Sequence, residues 1–282
     1  MDAFEKLAAQ GPKRLTQWTM ALLAGSALAS SAAASEPGNR DAGCLQKLAA
    51  AGPVSTFDDA IKALPQIEAK STYESTADYE RRLAAASGQT SRPILLKRTP
   101  SYVGEGLSYD ADRRILTIRP TAFGAGQINF SMIFGMGPPG MDPFASAIAF
   151  GLEARDVAKE NYEANNGFGA QVTVTQTTRQ VHALWEQHGK RGDSPFLGNS
   201  PFKPLAAISM TPQAARDVIE RGSVTLLAVP KAPFKKTGLN AVAPDFRRPR
   251  ERIDQVTALI AYVQCAYLQA SDGSVIAAFA VR

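Results

Sequence analysis

Gln171-Val172-Thr173-Val174-Thr175-Gln176-Thr177-Thr178-Arg179-Gln180-Val181-His182-Ala183-Leu184-Trp185 alternates in side-chain character and is rich in Thr and Val. β-Branched residues pack well on a pleated surface, so this run is expected to form one long strand, straight or bent. Upstream, Leu107-Ser108-Tyr109 and Ile115-Leu116-Thr117-Ile118 flank the polar residues Asp110 to Arg113 as a hairpin, and Ile94-Leu95-Leu96-Lys97-Arg98 makes a further strand. Downstream, residues 206–210 read as a short strand and Thr211-Pro212 opens a helix with proline in its first turn. Residues 224–229 return as a strand, completing one strand-helix-strand unit. Residues 256–268 and 274–281 form a last hairpin around Ala270-Ser271-Asp272-Gly273, where Gly273 accepts positive φ.

Helices precede this strand-rich part. Ser55 and Thr56 can cap a helix whose Phe57, Ile61 and Leu64 share one face, with Asp58 and Asp59 in the first turn and Pro65 ending it. A second helix starts at Ser75 or Thr76, turns Tyr79, Leu83 and Ala86 inward, and stops at Gly88. The expected fold is α+β: a single domain over 36–282, with N-terminal helices packed on a mainly antiparallel sheet and one strand-helix-strand unit. Any division of it would fall near 160–200.

Residues 1–35 read as a signal peptide. Lys13 and Arg14 supply positive charge, Trp18 to Leu28 an apolar stretch, and Ala32-Ala33-Ala34 the small residues of a cleavage site. Gly25 and Ser26 interrupt the stretch, which falls short of the ~20 strongly apolar residues of a membrane span. The expected location is therefore the periplasm or the outside of the cell. Asp41-Ala42-Gly43-Cys44 lacks the aliphatic residue of a lipid-acceptor box.

Removing the signal leaves roughly 245 of 282 residues, enough for one large core. The whole chain carries a net charge of +5, of which Lys6, Lys13 and Arg14 against Asp2 and Glu5 take one unit, leaving +4. That mild excess suits contact with anionic envelope surfaces and gives no reason to expect nucleic acid. Cys44 and Cys265 are the only cysteines. In an oxidising compartment an even pair reads as a disulfide, the alternative being two free thiols.

Chemistry-bearing motifs are scarce. His182 and His188, the only histidines, stand six apart, which fits neither helical nor strand metal spacing, so no metal and no cofactor is expected. No Gly-x-Ser-x-Gly elbow accompanies them, Gly104-Glu105-Gly106 lacks a third glycine, and Gly135 to Gly140 lacks a Lys-Ser/Thr end. Glu74, Asp78 and Glu80 cluster, and Asp78 with Arg82 has i, i+4 ion-pair spacing. Residues 128–150 hold Ile133, Phe134, Met136, Met141 and Phe144 between Gly and Pro, and would serve either as core or as a peripheral membrane contact. The residues singled out for binding are Lys231, Lys235, Lys236, Arg247, Arg248, Arg250 and Arg252, in what reads as a proline-rich loop over 230–252.

Tyr73-Glu74-Ser75-Thr76-Ala77-Asp78-Tyr79-Glu80-Arg81-Arg82 resembles a Phe-Glu-Thr-x-x-Glu-Tyr-x-x-Arg pattern of a scattered group of exported bacterial proteins with no assigned function. Asn166-Gly167-Phe168-Gly169-Ala170 and Thr211-Pro212-Gln213-Ala214-Ala215-Arg216 are similar to later segments of that group. The resemblance implies a shared fold, with Tyr73 as a core contact, and supplies no activity. The functional expectation is a non-enzymatic binding or accessory protein of the cell envelope, whose partner is an envelope protein or an anionic glycan or lipid surface. The alternative is a hydrolase acting on a cell-wall or glycan substrate through carboxylates such as Glu74 or Asp78.

Overall fold

The computed structural model describes residues 40–90, 92–98, 106–125, 147–165, 169–187, 194, 196, 203–245 and 247–281. The signal stretch, residues 126–146, His188 and Asn166 to Phe168 lie outside them. Residues 33–282 cluster as one compact unit.

Among the described residues ten strands make two sheets. In chain order they are β1 (Val54–Ser55), β2 (Ile94–Arg98), β3 (Leu107–Asp110), β4 (Ile115–Ile118), β5 (Ala147–Asn165), β6 (Gln171–Gln187), β7 (Ala206–Ser209), β8 (Ser223–Val242), β9 (Arg250–Gln269) and β10 (Val275–Ala280). The large sheet runs β1-β2-β8-β9-β6-β5, with β10 beside the C-terminal half of β9, and the small one runs β3-β4-β7. β9 is central: β8 pairs along one side of it, while β6 in parallel and then β10 in antiparallel share the other. The large sheet is mixed and curls into a half-barrel.

This corrects the expected α+β architecture. The described helices α1 (Ala42–Ala50), α2 (Phe57–Lys62), α3 (Thr76–Gln89) and α4 (Pro212–Arg221) bury only Cys44, Phe57, Ala60, Ala215 and Val218 between them. Strand residues and the 3-10 turn Pro120–Phe123 supply most of the core, including Leu116, Phe123, Phe150, Leu184, Leu226 and Leu259. The fold is mostly β because two long hairpins, β5–β6 and β8–β9, join side by side through β6 and β9. The strand-helix-strand order β7-α4-β8 is present, but its two strands belong to different sheets.

The expected loop over 230–252 is mostly strand. β8 reaches Val242 and β9 begins at Arg250. Between Pro230 and Lys235 the ladder to β9 is interrupted, so Pro230 and Pro233 sit at an irregularity beyond the stretch that β2 pairs. There a missing N–H breaks no regular ladder bond. A second irregularity lies where Leu227 meets Cys265 and Ala228 meets Val263. It lets Val263 and Ala266 both face the main core, although regular alternation would send them to opposite faces.

Local signals in the helices hold. The side chains of Thr56, Ser75 and Thr211 accept from the backbone N–H three residues on, and Asp41 caps α1 in the same way. α3 continues through Gly88 to Gln89 and has no fully buried residue. Tyr73 is 99% exposed and makes no core contact.

Cys44 and Cys265 form a disulfide with Cα atoms 5.8 Å apart, within the usual range. It lies in a second cluster with Leu95, Leu227, Tyr267 and Ala278, on the side of the sheet covered by α1. Nearby, Asp41 N–H donates to Ala278 O at 2.9 Å and Val281 N–H to Gln264 O at 3.0 Å. Among the described residues no helix is long and apolar enough to cross a membrane.

Candidate functional site

The distal halves of β8, β9, β6 and β5 extend past the core as a four-stranded arm. Residues 155–163 of β5 are exposed on both faces, whereas in β8 Lys235, Thr237, Leu239 and Ala241 are exposed on one face and Lys236, Gly238 and Asn240 are half-buried on the other. Its interior is held by polar groups. Asp254, buried between strands, accepts Arg179 Nε at 2.7 Å and Asn240 Nδ2 at 3.3 Å, and ion-pairs Arg252 Nε at 3.2 Å. On the other face, Glu251 accepts from Tyr162 Oη at 3.1 Å and from the Gln176 amide.

The arm separates the predicted basic residues into two groups. Asp245 Oδ1 accepts the backbone N–H groups of Arg247 and Arg248, each at 2.8 Å. That side-chain-to-backbone turn holds the β8–β9 connection and leaves both guanidinium groups in solvent. Arg250, two residues beyond Arg248 and the first of β9, is exposed opposite Thr175. Among the described residues none of these three guanidinium groups forms an ion pair. Arg252 is different, because Asp254 neutralises it.

Lys236 pairs with Ala258, six residues from Arg252, which places it about 20 Å back along the arm at ~3.3 Å per residue. Its ammonium stands 4.9 Å over the Trp185 ring, and burial holds its pKa below the usual lysine value. Lys235 and Lys231 are exposed, Lys231 within the irregularity after Pro230. The lysine cluster and the arginine cluster thus lie apart along the arm, with Arg247, Arg248 and Arg250 together at its tip.

A second polar site lies where β2 approaches β5 across the open side of the half-barrel. Its pocket of about 280 Å³ is lined by Ser55, Thr56, Phe57, Lys97, Leu152 and Glu153 among others. His182, beside it, stacks on Phe57 with ring centroids 4.4 Å apart. Its Nε2 is 3.8 Å from Asp58 Oδ1 and its Nδ1 3.7 Å from Glu153 Oε2. The imidazole thus stands between α2 and the β5–β6 hairpin. Spacing could not reveal this group, because Asp58, Glu153 and His182 come from three separate elements. Among the described residues no cluster of three His, Cys, Asp or Glu side chains is placed to hold a metal.

The carboxylates considered for hydrolysis are engaged elsewhere. Glu74 receives Arg82 Nε at 3.1 Å and Nη2 at 2.8 Å, while Arg82 Nη1 donates to Glu68 O at 3.0 Å. The Arg82 bond holds the Glu74 carboxyl below its usual pKa. Asp78 takes the Ser75 hydroxyl at 2.7 Å and Arg81 at 2.9 Å, so the expected Asp78–Arg82 pair is replaced by Glu74–Arg82 and Asp78–Arg81. The Tyr73-to-Arg82 motif thus starts and clamps a helix. Neither carboxylate lines the pocket. The apolar residues Ile133, Phe134, Met136, Met141 and Phe144 lie outside the described residues.

No protein-family model, no curated protein and no solved structure matches this chain.

Proposed function

We propose that the chain is an exported, non-enzymatic accessory protein of the cell envelope that grips an anionic surface with the tip of its arm. The observation that carries the reading is the Asp245-organised turn, which presents Arg247 and Arg248 beside Arg250 with no acidic partner among the described residues. Phosphate or carboxylate groups of a lipid or glycan layer are the ligand chemistry such guanidinium groups accept, in bidentate fashion. Export is supported by the signal-like residues 1–35 and by the disulfide, which persists in an oxidising compartment such as the periplasm or the cell exterior. The mild excess of positive charge supports association with an anionic surface.

The test is co-sedimentation of residues 36–282 with phosphatidylglycerol vesicles, with phosphatidylcholine vesicles and with purified cell-wall glycan. Each cation near an anionic surface contributes about 1 kcal/mol, so reversing Arg247, Arg248 and Arg250 to Glu weakens binding by about a hundredfold or more. The vesicle and glycan arms identify the source of the anionic groups. Binding that ignores both the triple reversal and salt would refute the proposal.

A further inference from the structure

Among the described strands of the large sheet β5 is the outermost, and from Arg155 to Asn165 its outer edge has no described strand beside it. Ala125 bridges Phe150, and Gly151 N–H donates to Gly124 O. Between Arg155 and Asn165, among the described residues, no strand pairs with that edge. Unpaired edges are usually protected by charge, bulges or shortness. β5 is 19 residues long and carries both charges and bulges, in a self-complementary order.

The middle of the strand reads Arg155-Asp156-Val157-Ala158-Lys159-Glu160. Reversed, its charges are opposite at every charged position. We infer that β5 pairs antiparallel with β5 of a second copy of this chain, about a twofold axis between Val157 and Ala158. That register sets Asp156 against the partner's Lys159 and Arg155 against the partner's Glu160. The axis repeats both pairs, so four opposite-charge pairs form.

The backbone agrees with this register through an independent feature. In a regular strand, residues two apart present their N–H and C=O groups to the same neighbour. Pairing residue 155 with 160 would then oppose an outward residue to an inward one. Here the ladder to β6 skips Val157, because Asp156 pairs with Arg179 and Ala158 with Thr178. The skip reverses the alternation beyond it. Arg155 and Glu160 therefore stand on one face, opposite Gln180 and Gln176, and Asp156 and Lys159 on the other, opposite Arg179 and Thr177.

Their present partners leave these charges available. Arg155 donates only to the neutral Gln180 Oε1, at 2.9 and 2.6 Å, and Asp156, Lys159 and Glu160 form no ion pair among the described residues. Val157, at the axis, is 47% exposed. The charges that repel unrelated strands select this one. The assembly is a continuous eight-stranded arm sheet in the order β8-β9-β6-β5 and then β5-β6-β9-β8 of the second copy.

Sedimentation equilibrium of residues 36–282 from low to high micromolar concentration tests the pairing. The chain is expected to dimerise, and Lys159→Glu to weaken the dimer by about tenfold or more, since each substitution acts twice. Combining Asp156→Lys with Lys159→Asp exchanges the two charges and is expected to restore association to within a few-fold. Reversing the arm-tip arginines leaves the dimer intact, which separates this contact from anionic-surface binding. A chain that stays monomeric throughout overturns the inference. So does a dimer indifferent to Lys159→Glu, or one that the charge exchange does not restore.

Discussion

Tyr267 is fully buried and donates its hydroxyl to Cys44 O at 2.7 Å. Burial, with Asp41 nearby, pushes its pKa up to about 12. The unfolded chain ionises its tyrosines near ~10. The stabilisation from keeping Tyr267 neutral is therefore complete below ~pH 10 and is lost as pH rises towards the folded-state value. Unfolding by urea should show a decline of order 2–3 kcal/mol between pH 10 and 12 from this group. Tyr267→Phe should cost about 1 kcal/mol at neutral pH and flatten that decline. An equally steep alkaline decline in the variant would show that other groups cause it. At this scale the sequence told apart what is local from what is not. The Cys44–Cys265 pairing followed from a count of two together with a signal-like N-terminal stretch, whereas the Phe57–His182 stack needs α2 folded against β6 and leaves no trace in spacing.

Among the elements, the caps at Thr56, Ser75 and Thr211 were readable because each is satisfied within three residues. β5 and distal β8 were not. Nine consecutive exposed residues of β5 show no apolar alternation, and the prolines of β8 resemble a loop while neighbouring strands supply the ladder. The join that keeps β5 against the core depends on Gly124, with φ of 80°, where an added Cβ would stand 2.3 Å from Gly151 O. Gly124→Ala should lower stability by about 2–4 kcal/mol through that clash and the left-handed backbone. Gly88→Ala should instead be neutral or stabilising by up to ~1 kcal/mol, since Gly88 lies within α3 and has open space around it. Urea midpoints of the two variants check the contrast; similar losses in both would contradict it.

For the whole molecule, the decisive contact was the least legible. β6 and β9 pair in parallel although Thr175 and Arg250 are 75 positions apart, and only the fold can say which strands become neighbours at that range. Without that pairing the helices look like a layer on a sheet; with it they are trim around a curled one. The disulfide closes a loop with a sequence separation of 221. On the chain-entropy model its removal should cost about 5 kcal/mol. Calorimetry of the Cys44→Ser, Cys265→Ser double variant should show a Tm lower by roughly 10–20 °C. A shift of only a degree or two would mean that the unfolded chain gains little freedom.

The same bond governs how the molecule bears mechanical load. Tension applied at Arg40 and Val281 enters on either side of the Cys44–Cys265 link, so the enclosed ring is shielded from it. Only about 20 residues outside the ring can pay out, at most ~70 Å of contour length. The arm, which springs wholly from within the ring, keeps its shape while the ends are pulled.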